Sequence, residues 1–413
     1  MLHLVLLFCL SWTHATSLVS RYQFLNANSL PEGVWTFGVS RSQSTTPGAG
    51  SFSQNGSRVS NQEYFSRNVS YSNLIDEVSD PLERDLAEAA FSVYGRADAE
   101  NAGQVVNDVR VRQKADAYIL GRGLTSRSNL FLIFPVVTIQ TTFSSRFVQS
   151  NSLKQLALQL QKEGQQSKAK EILEKSENAL RSRLDENGYR NSYPSELTTL
   201  ANIYVNYRYQ AVDKTKTKIV SDSFVVVPAG KKFDEDDFLP LRVNEEQFSL
   251  KQGITGAWSP ISSGTLLGNI YYHKRFPFQK AQRIPLNSTS PLSNDRDPNT
   301  RIQYGDSWGT SAQVNLLPSE SWTLYLGQSF EYKLRDNFSG NDFASSRYDF
   351  LEQNSEQRLQ LGYLGFSVNT IQSFLAQKFP IPMDLNIQYS FTNGGRNTFQ
   401  DQTLAMNMMV FYK

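Results

Sequence analysis

Cysteine is almost absent: the only one, Cys9, lies in an apolar run at the start of the chain. That leaves no pair for a disulfide and no thiolate cluster for zinc. Histidine is nearly as scarce, three in 413 residues, and His3 and His14 fall in the same leading stretch. A serine–histidine hydrolase would have to rest on His273 alone, and a lone strand histidine is more often a plain polar group. No enzyme activity, cofactor or metal site is expected. No charge of one sign dominates either, since 41 basic and 39 acidic residues leave a net charge of +2. A nucleic-acid partner, which would call for a basic patch or stripe, gets no support. Apolar runs of bilayer length are missing too, so no membrane-spanning helix is expected.

What is present is aromatic. The chain carries 26 Phe and 19 Tyr, although only 39% of residues are hydrophobic and mean hydropathy is −0.43. A soluble enzyme of this length would hold more aliphatic core. A barrel with a watery lumen needs apolar groups on only one side of each strand.

The leader, Leu2 to Trp12 followed by Thr13-His14-Ala15, reads as a secretory signal peptide over 1–15. Phe8 is not the small residue a lipoprotein cleavage site wants before its cysteine. A polar segment, 16–33, is expected on the periplasmic side, as a tail or small plug. From 34 to 413 the chain reads as a transmembrane antiparallel up-and-down β-barrel of about 12 strands, all-β apart from a helical insertion. Long external connections are expected at 45–107, 143–199, 229–246, 275–306 and 335–356, joined to short turns on the other side. One short turn is placed at Gly121-Arg122-Gly123 and another at Asn393-Gly394-Gly395.

The clearest strand signals lie near the end. Leu385, Ile387, Tyr389 and Phe391 alternate with Asp384, Asn386, Gln388 and Ser390. Leu404, Met406, Met408, Val410 and Tyr412 then form one continuous apolar face closed by an aromatic. This is a lipid-facing strand, and it resembles the C-terminal signal by which such barrels are recognised for insertion. Leu153 to Glu186 breaks the pattern with helical spacing. Its place, external, in the lumen or as an interaction module, stays open. The acidic run Asp234, Glu235, Asp236, Asp237 reads first as a solvated loop and second as a weak calcium or lipopolysaccharide-bridging site.

Polar residues that alternate with apolar ones are the candidates for the lumen. They are Arg110, Arg112, Lys114 and Asp116 on one strand, and Asn202, Arg208, Glu331, Arg358, Asp384, Asn386 and Gln388 on others. Such groups would set an ion preference, or pair across a filled lumen and close it.

A family resemblance rests on Gly188-Tyr189, Leu200-Ala201-Asn202-Ile203 with Tyr207-Arg208-Tyr209, and Val227-Pro228-Ala229-Gly230 before an acidic loop. The opening Leu30-Pro31-Glu32-Gly33-Val34-Trp35 adds to it. These stretches resemble the outer-membrane phenol meta-pathway and FadL-like hydrophobic-compound transporters. Ala201-Asn202 stands where that family has Gly-Asp, and Ala229 where it has Thr. The resemblance implies a bacterial outer-membrane channel that passes small solutes, hydrophobic ones included, by diffusion. The alternative is an adhesive or structural surface protein anchored by a filled barrel. Either would be integral to the outer membrane, with lipid, lipopolysaccharide and the barrel-assembly machinery as partners and no nucleic acid.

Overall fold

Along the strands, polar side chains are the buried ones and apolar side chains face out. Thr36 and Ser40 are fully buried, whereas Phe37 between them is 48% exposed. That inverts a soluble β-protein and requires lipid outside. The computed structural model describes residues 27–44, 50–60, 66–70, 101–162, 164, 166, 187–190, 195–232, 234–237, 245–286, 293–316 and 321–413. The expected signal peptide and most of the helical stretch after residue 162 lie outside them.

Twelve strands make the barrel. They are β1 (Trp35–Ser44), β2 (Asn101–Thr125), β3 (Ser128–Gln149), β4 (Ile203–Lys214), β5 (Thr217–Val227) and β6 (Ser249–Ile261). The second half is β7 (Gly264–Arg275), β8 (Ser307–Leu316), β9 (Trp322–Lys333), β10 (Gln357–Asn369), β11 (Met383–Arg396) and β12 (Gln402–Tyr412). Each pairs antiparallel with the next, and β12 returns to β1 from Trp35↔Tyr412 to Ser44↔Thr403. Closure leaves no unpaired strand edge in hydrocarbon, where a bare N–H or C=O costs several kcal/mol.

The outer face shows how the barrel is seated. On β9 the outward positions run Trp322, Leu324, Leu326, Gln328, Phe330 and Tyr332, about 25 Å of height for strands tilted near 40°. Aromatics mark both rims: Trp308 packs with Phe330 and Tyr332 at one end, and Trp322 with Phe366 at the other. Polar atoms on this face pair with each other. Gln252 accepts from Ser223 at 2.6 Å and donates to Ser221 at 2.8 Å, so the trio presents little unsatisfied polarity to lipid.

Two expected turns lie elsewhere. Gly121, Arg122 and Gly123 are inside β2, and the reversal comes at Ser126-Arg127. The glycines serve close approach: a Cβ on Gly123 would strike the carbonyl of Pro31, and one on Gly121 the Phe131 ring. Likewise Asn393-Gly394-Gly395 lies in β11, with a register shift beside it, and the chain turns after Arg396. Pro135 does mark an irregularity. Ahead of β4, the strand Ser195–Leu200 pairs with β3 and then breaks at Ala201-Asn202, where the Ala201 N–H donates to the Pro135 carbonyl at 2.8 Å.

β2 and β3 outrun β1, whose last partner on β2 is Lys114, so they rise beyond the rim as a ribbon. The helix α1 (Asn151–Lys162) follows from the outer end of β3. No described helix is long and apolar enough to cross a membrane. The connection 275–306, expected as a long loop, carries an antiparallel hairpin, Phe278–Arg283 with Arg296–Gln303. Asn337–Ser339 adds a third strand, and α2 (Ser345–Glu352) packs on it. Ile284, Ile302, Tyr304, Phe338, Tyr348 and Leu351 form the core of this cap over the barrel end, at about 1.5–3 kcal/mol for each fully buried aliphatic or Phe side chain. A short helix, α3 (Ile371–Leu375), joins β10 to β11 at the opposite end.

Candidate functional site: the barrel lumen

Inward positions of β5 to β12, with the β4–β5 turn, enclose a cavity of about 460 Å³ in the half nearer the short turns. Its walls are mostly amide and hydroxyl groups, among them Gln313, Asn315, Tyr325, Asn386, Gln388 and Asn407. A second space of about 70 Å³ continues toward the cap and shares Gln313 and Gln388 with the first. The segment before β1 lies across the mouth. Arg208 donates to the Asn28 carbonyl at 3.2 Å, Lys218 to Asn28 Oδ1 at 2.8 Å, and Ser29 to Gln210 at 2.5 Å.

Cross-strand register controls the bore. Tyr271 pairs directly with Gly309, Tyr363 with Gly327, and Tyr325 with Gly365. In each pair a Cβ on the glycine would meet the tyrosine ring. The missing side chain lets the ring lie against the wall, so three bulky inward residues occupy little of the lumen.

Toward the cap the lumen is charged. Lys251 Nζ sits 3.8 Å from the centroid of the Tyr271 ring, whose hydroxyl reaches Glu331. Above them Arg275 donates to Glu245 at 3.0 and 3.2 Å and to the Gly305 carbonyl at 2.7 Å. Lys333 pairs with Asp336. Burial alone would raise the Glu245 carboxyl, but the charge and hydrogen bonds of Arg275 outweigh it and bring it from 4.5 down to about 2. A lowered folded-state value means stabilisation that is present above pH 4.5 and is lost as pH falls toward 2. Acid titration of the folded fraction, followed by heat-modifiable gel migration, should therefore be shallower over that window in Glu245→Gln than in wild type. Identical curves would show that this carboxylate contributes nothing to acid stability.

No family model matches the sequence, and no curated protein matches it. Among solved structures, an outer-membrane channel from Pseudomonas putida F1 aligns with a TM-score of 0.54 at 9% identity, over 94% of this chain and 98% of that one. The two share the fold of a closed outer-membrane β-barrel. The toluene transporter TodX of P. putida aligns at 0.33 and 10% identity over 93% and 91%. The translocator domain of the autotransporter NalP from Neisseria meningitidis does so at 0.34 and 9% over 97% and 97%. At those scores the likeness carries nothing further.

Within this fold the candidate residues separate by register. Asp384, Asn386 and Gln388 line the larger cavity, and Glu331 the smaller. Arg208 points inward and pairs with Asp222 at 2.8 Å. Asn202 is buried at the strand break. Arg110, Arg112, Lys114 and Asp116 were expected in the lumen and are instead on the outer face. Asp116 pairs with Arg41, which itself faces Met406, and shares its face with the lipid-exposed Tyr118. The lumen side of that strand carries Ala115 and Ala117. Arg358 is likewise on the outside, stacked over Tyr332 at 5.3 Å.

The acidic run is tied to arginines. Asp236 accepts from Arg283 and Arg296, each at 2.6 Å, and Asp234 from Arg190. Among the described residues no group of three His, Cys, Asp or Glu side chains is placed to hold a metal. Arg283 was missed in the sequence. It donates to the carbonyls of Asn187, Gly188 and Ser293 and stacks on Tyr189 at 4.1 Å. Its partners on Asn187, Gly188 and Asp236 lie 47 to 96 positions away, and no local pattern could point to it.

Proposed function

We propose that the protein is a passive channel of the bacterial outer membrane, carrying small solutes through the barrel lumen. The observation that carries this reading is the pair of lumen spaces in series, walled by inward polar side chains and kept wide by the tyrosine–glycine pairs. Lipid surrounds the barrel. Lipopolysaccharide at the outer rim, and assembly machinery reading the face from Leu404 to Tyr412, are the partners this reading adds. The second reading, an anchor for a surface-exposed adhesive part, draws on the ion pairs across the cap-side lumen and on the cap's own core.

Hydrolysis has less support. His273 Nε2 meets Ser249 Oγ at 2.8 Å and Glu245 at 3.8 Å, so serine and carboxylate crowd one ring nitrogen. A triad needs the carboxylate on the other.

Reconstitution into a planar bilayer tests the channel. Stepwise conductance is expected. Glu331→Gln, which removes a lumen carboxylate beside Lys251, should shift selectivity toward anions. Arg112→Glu with Lys114→Glu on the outer face should leave selectivity unchanged. No conductance at any voltage would favour the anchor.

A further inference from the structure

We infer that the larger lumen space holds a binding subsite for a neutral solute carrying several hydroxyl groups, of the polyol or monosaccharide class. This rests on the channel reading for its access route and on separate observations for its chemistry. Asn407 on β12 lines the cavity, is 5% exposed, and its Oδ1 has no hydrogen-bond partner. Ser40, directly opposite on β1, is fully buried and its Oγ is also unpartnered. Buried polar groups are almost always satisfied, so an unsatisfied amide in the cavity wall, with an unsatisfied hydroxyl behind it, points to a partner that comes from the lumen.

The neighbouring strand supplies groups already set in place. Asn386 pairs with Asn407 across the β11–β12 register and donates to the Tyr325 hydroxyl at 2.8 Å. Gln388 accepts from that hydroxyl at 3.2 Å. Gly365 leaves room for the ring to lie against the wall, and the two amides fix its hydroxyl there. Asn and Gln amides with a fixed tyrosine offer donors and acceptors together, which matches a hydroxyl, itself both donor and acceptor. A charged solute has less reason to stop here. The stretch holds three charges, Lys216, Lys218, which is bonded to Asn28, and the Asp384 carboxylate, among many more amides and hydroxyls, whereas the Lys251, Arg275 and Lys333 cluster lies toward the cap. A volume of about 460 Å³ is within the roughly 300–1,000 Å³ of small-molecule sites.

Saturation-transfer NMR on the folded barrel in detergent tests the subsite without requiring ion flow. Glucose is the probe, and per-O-methylated glucose, which keeps the ring and loses every O–H donor, is the control. Glucose should show transfer that saturates with its concentration, and the methylated sugar none. Asn407→Leu should weaken the apparent affinity at least fivefold, and Ser40→Ala, a gentler change, about twofold; heat-modifiable migration confirms that each variant is folded. Equal transfer to both sugars, no transfer to either, or an unchanged affinity in the folded variants overturns the subsite. Bilayer conductance is scored separately: conductance without glucose binding removes the subsite and keeps the channel, and binding without conductance does the reverse.

Discussion

Arg283→Ala is expected to open the cap while leaving the barrel intact. The side chain is 4% exposed and its guanidinium joins three separate stretches through Asp236, the Asn187 and Gly188 carbonyls and the Ser293 carbonyl. Breaking a buried, hydrogen-bonded ion pair by removing one partner costs about 3–5 kcal/mol. The lower end applies, because Asp236 keeps Arg296 at 2.6 Å. A cost of about 3 kcal/mol corresponds to roughly a hundredfold larger open fraction, read as a hundredfold faster proteolytic cleavage around residues 187–190 and 293–296. Arg283→Lys should recover little, since a point charge neither forks across several acceptors nor stacks on Tyr189. Unchanged cleavage in Arg283→Ala would refute the latch. A loss of heat-modifiable migration would mean that the cap and barrel unfold together.

Gly309→Ala is expected to narrow the lumen. A methyl group there would come within 2.6 Å of the Tyr271 ring, whose atoms are the nearest to it. The tyrosine must therefore yield, and the only room is toward the bore. Its displacement also breaks the Lys251 stack at 3.8 Å. Single-channel conductance should fall by half or more. The double variant Gly309→Ala with Tyr271→Ala should restore conductance to wild type or above, because the ring that is pushed inward has gone. If the single variant conducts normally, the tyrosine does not depend on that glycine. If the double variant stays blocked, the obstruction is elsewhere.

The strands were legible because lipid imposes period two on every one of them. Leu404 to Tyr412 read as an outward face, and Met406 and Met408 are exposed at 47% and 41%. The same rule misplaced Arg112, Lys114 and Asp116. A charged alternate face marks the lumen only within the bilayer, and β2 continues past the rim, where the outer face is wet as well. Arg358 fails for a related reason: it lies at headgroup level, where a guanidinium can stack on Tyr332 and still meet water. The cap and its latch were not legible. Hairpin strands such as Phe278–Arg283 are too short to show a period, and the Arg283–Asp236 pair spans 47 positions. The tyrosine–glycine pairs depend on register between strands, which one strand's sequence does not state.

The seam between β1 and β12 has a consequence for biogenesis. The Thr36 hydroxyl donates to the Val410 carbonyl across 374 positions, so the contact that closes the barrel joins nearly the first and last residues described. Loop-closure entropy makes such a contact among the last to form. Until the chain is complete, the growing sheet carries two bare edges that hydrocarbon cannot solvate. A chain stopped before Gln402 would be left open at β1 and β11, a substrate for quality-control proteolysis and not a smaller pore.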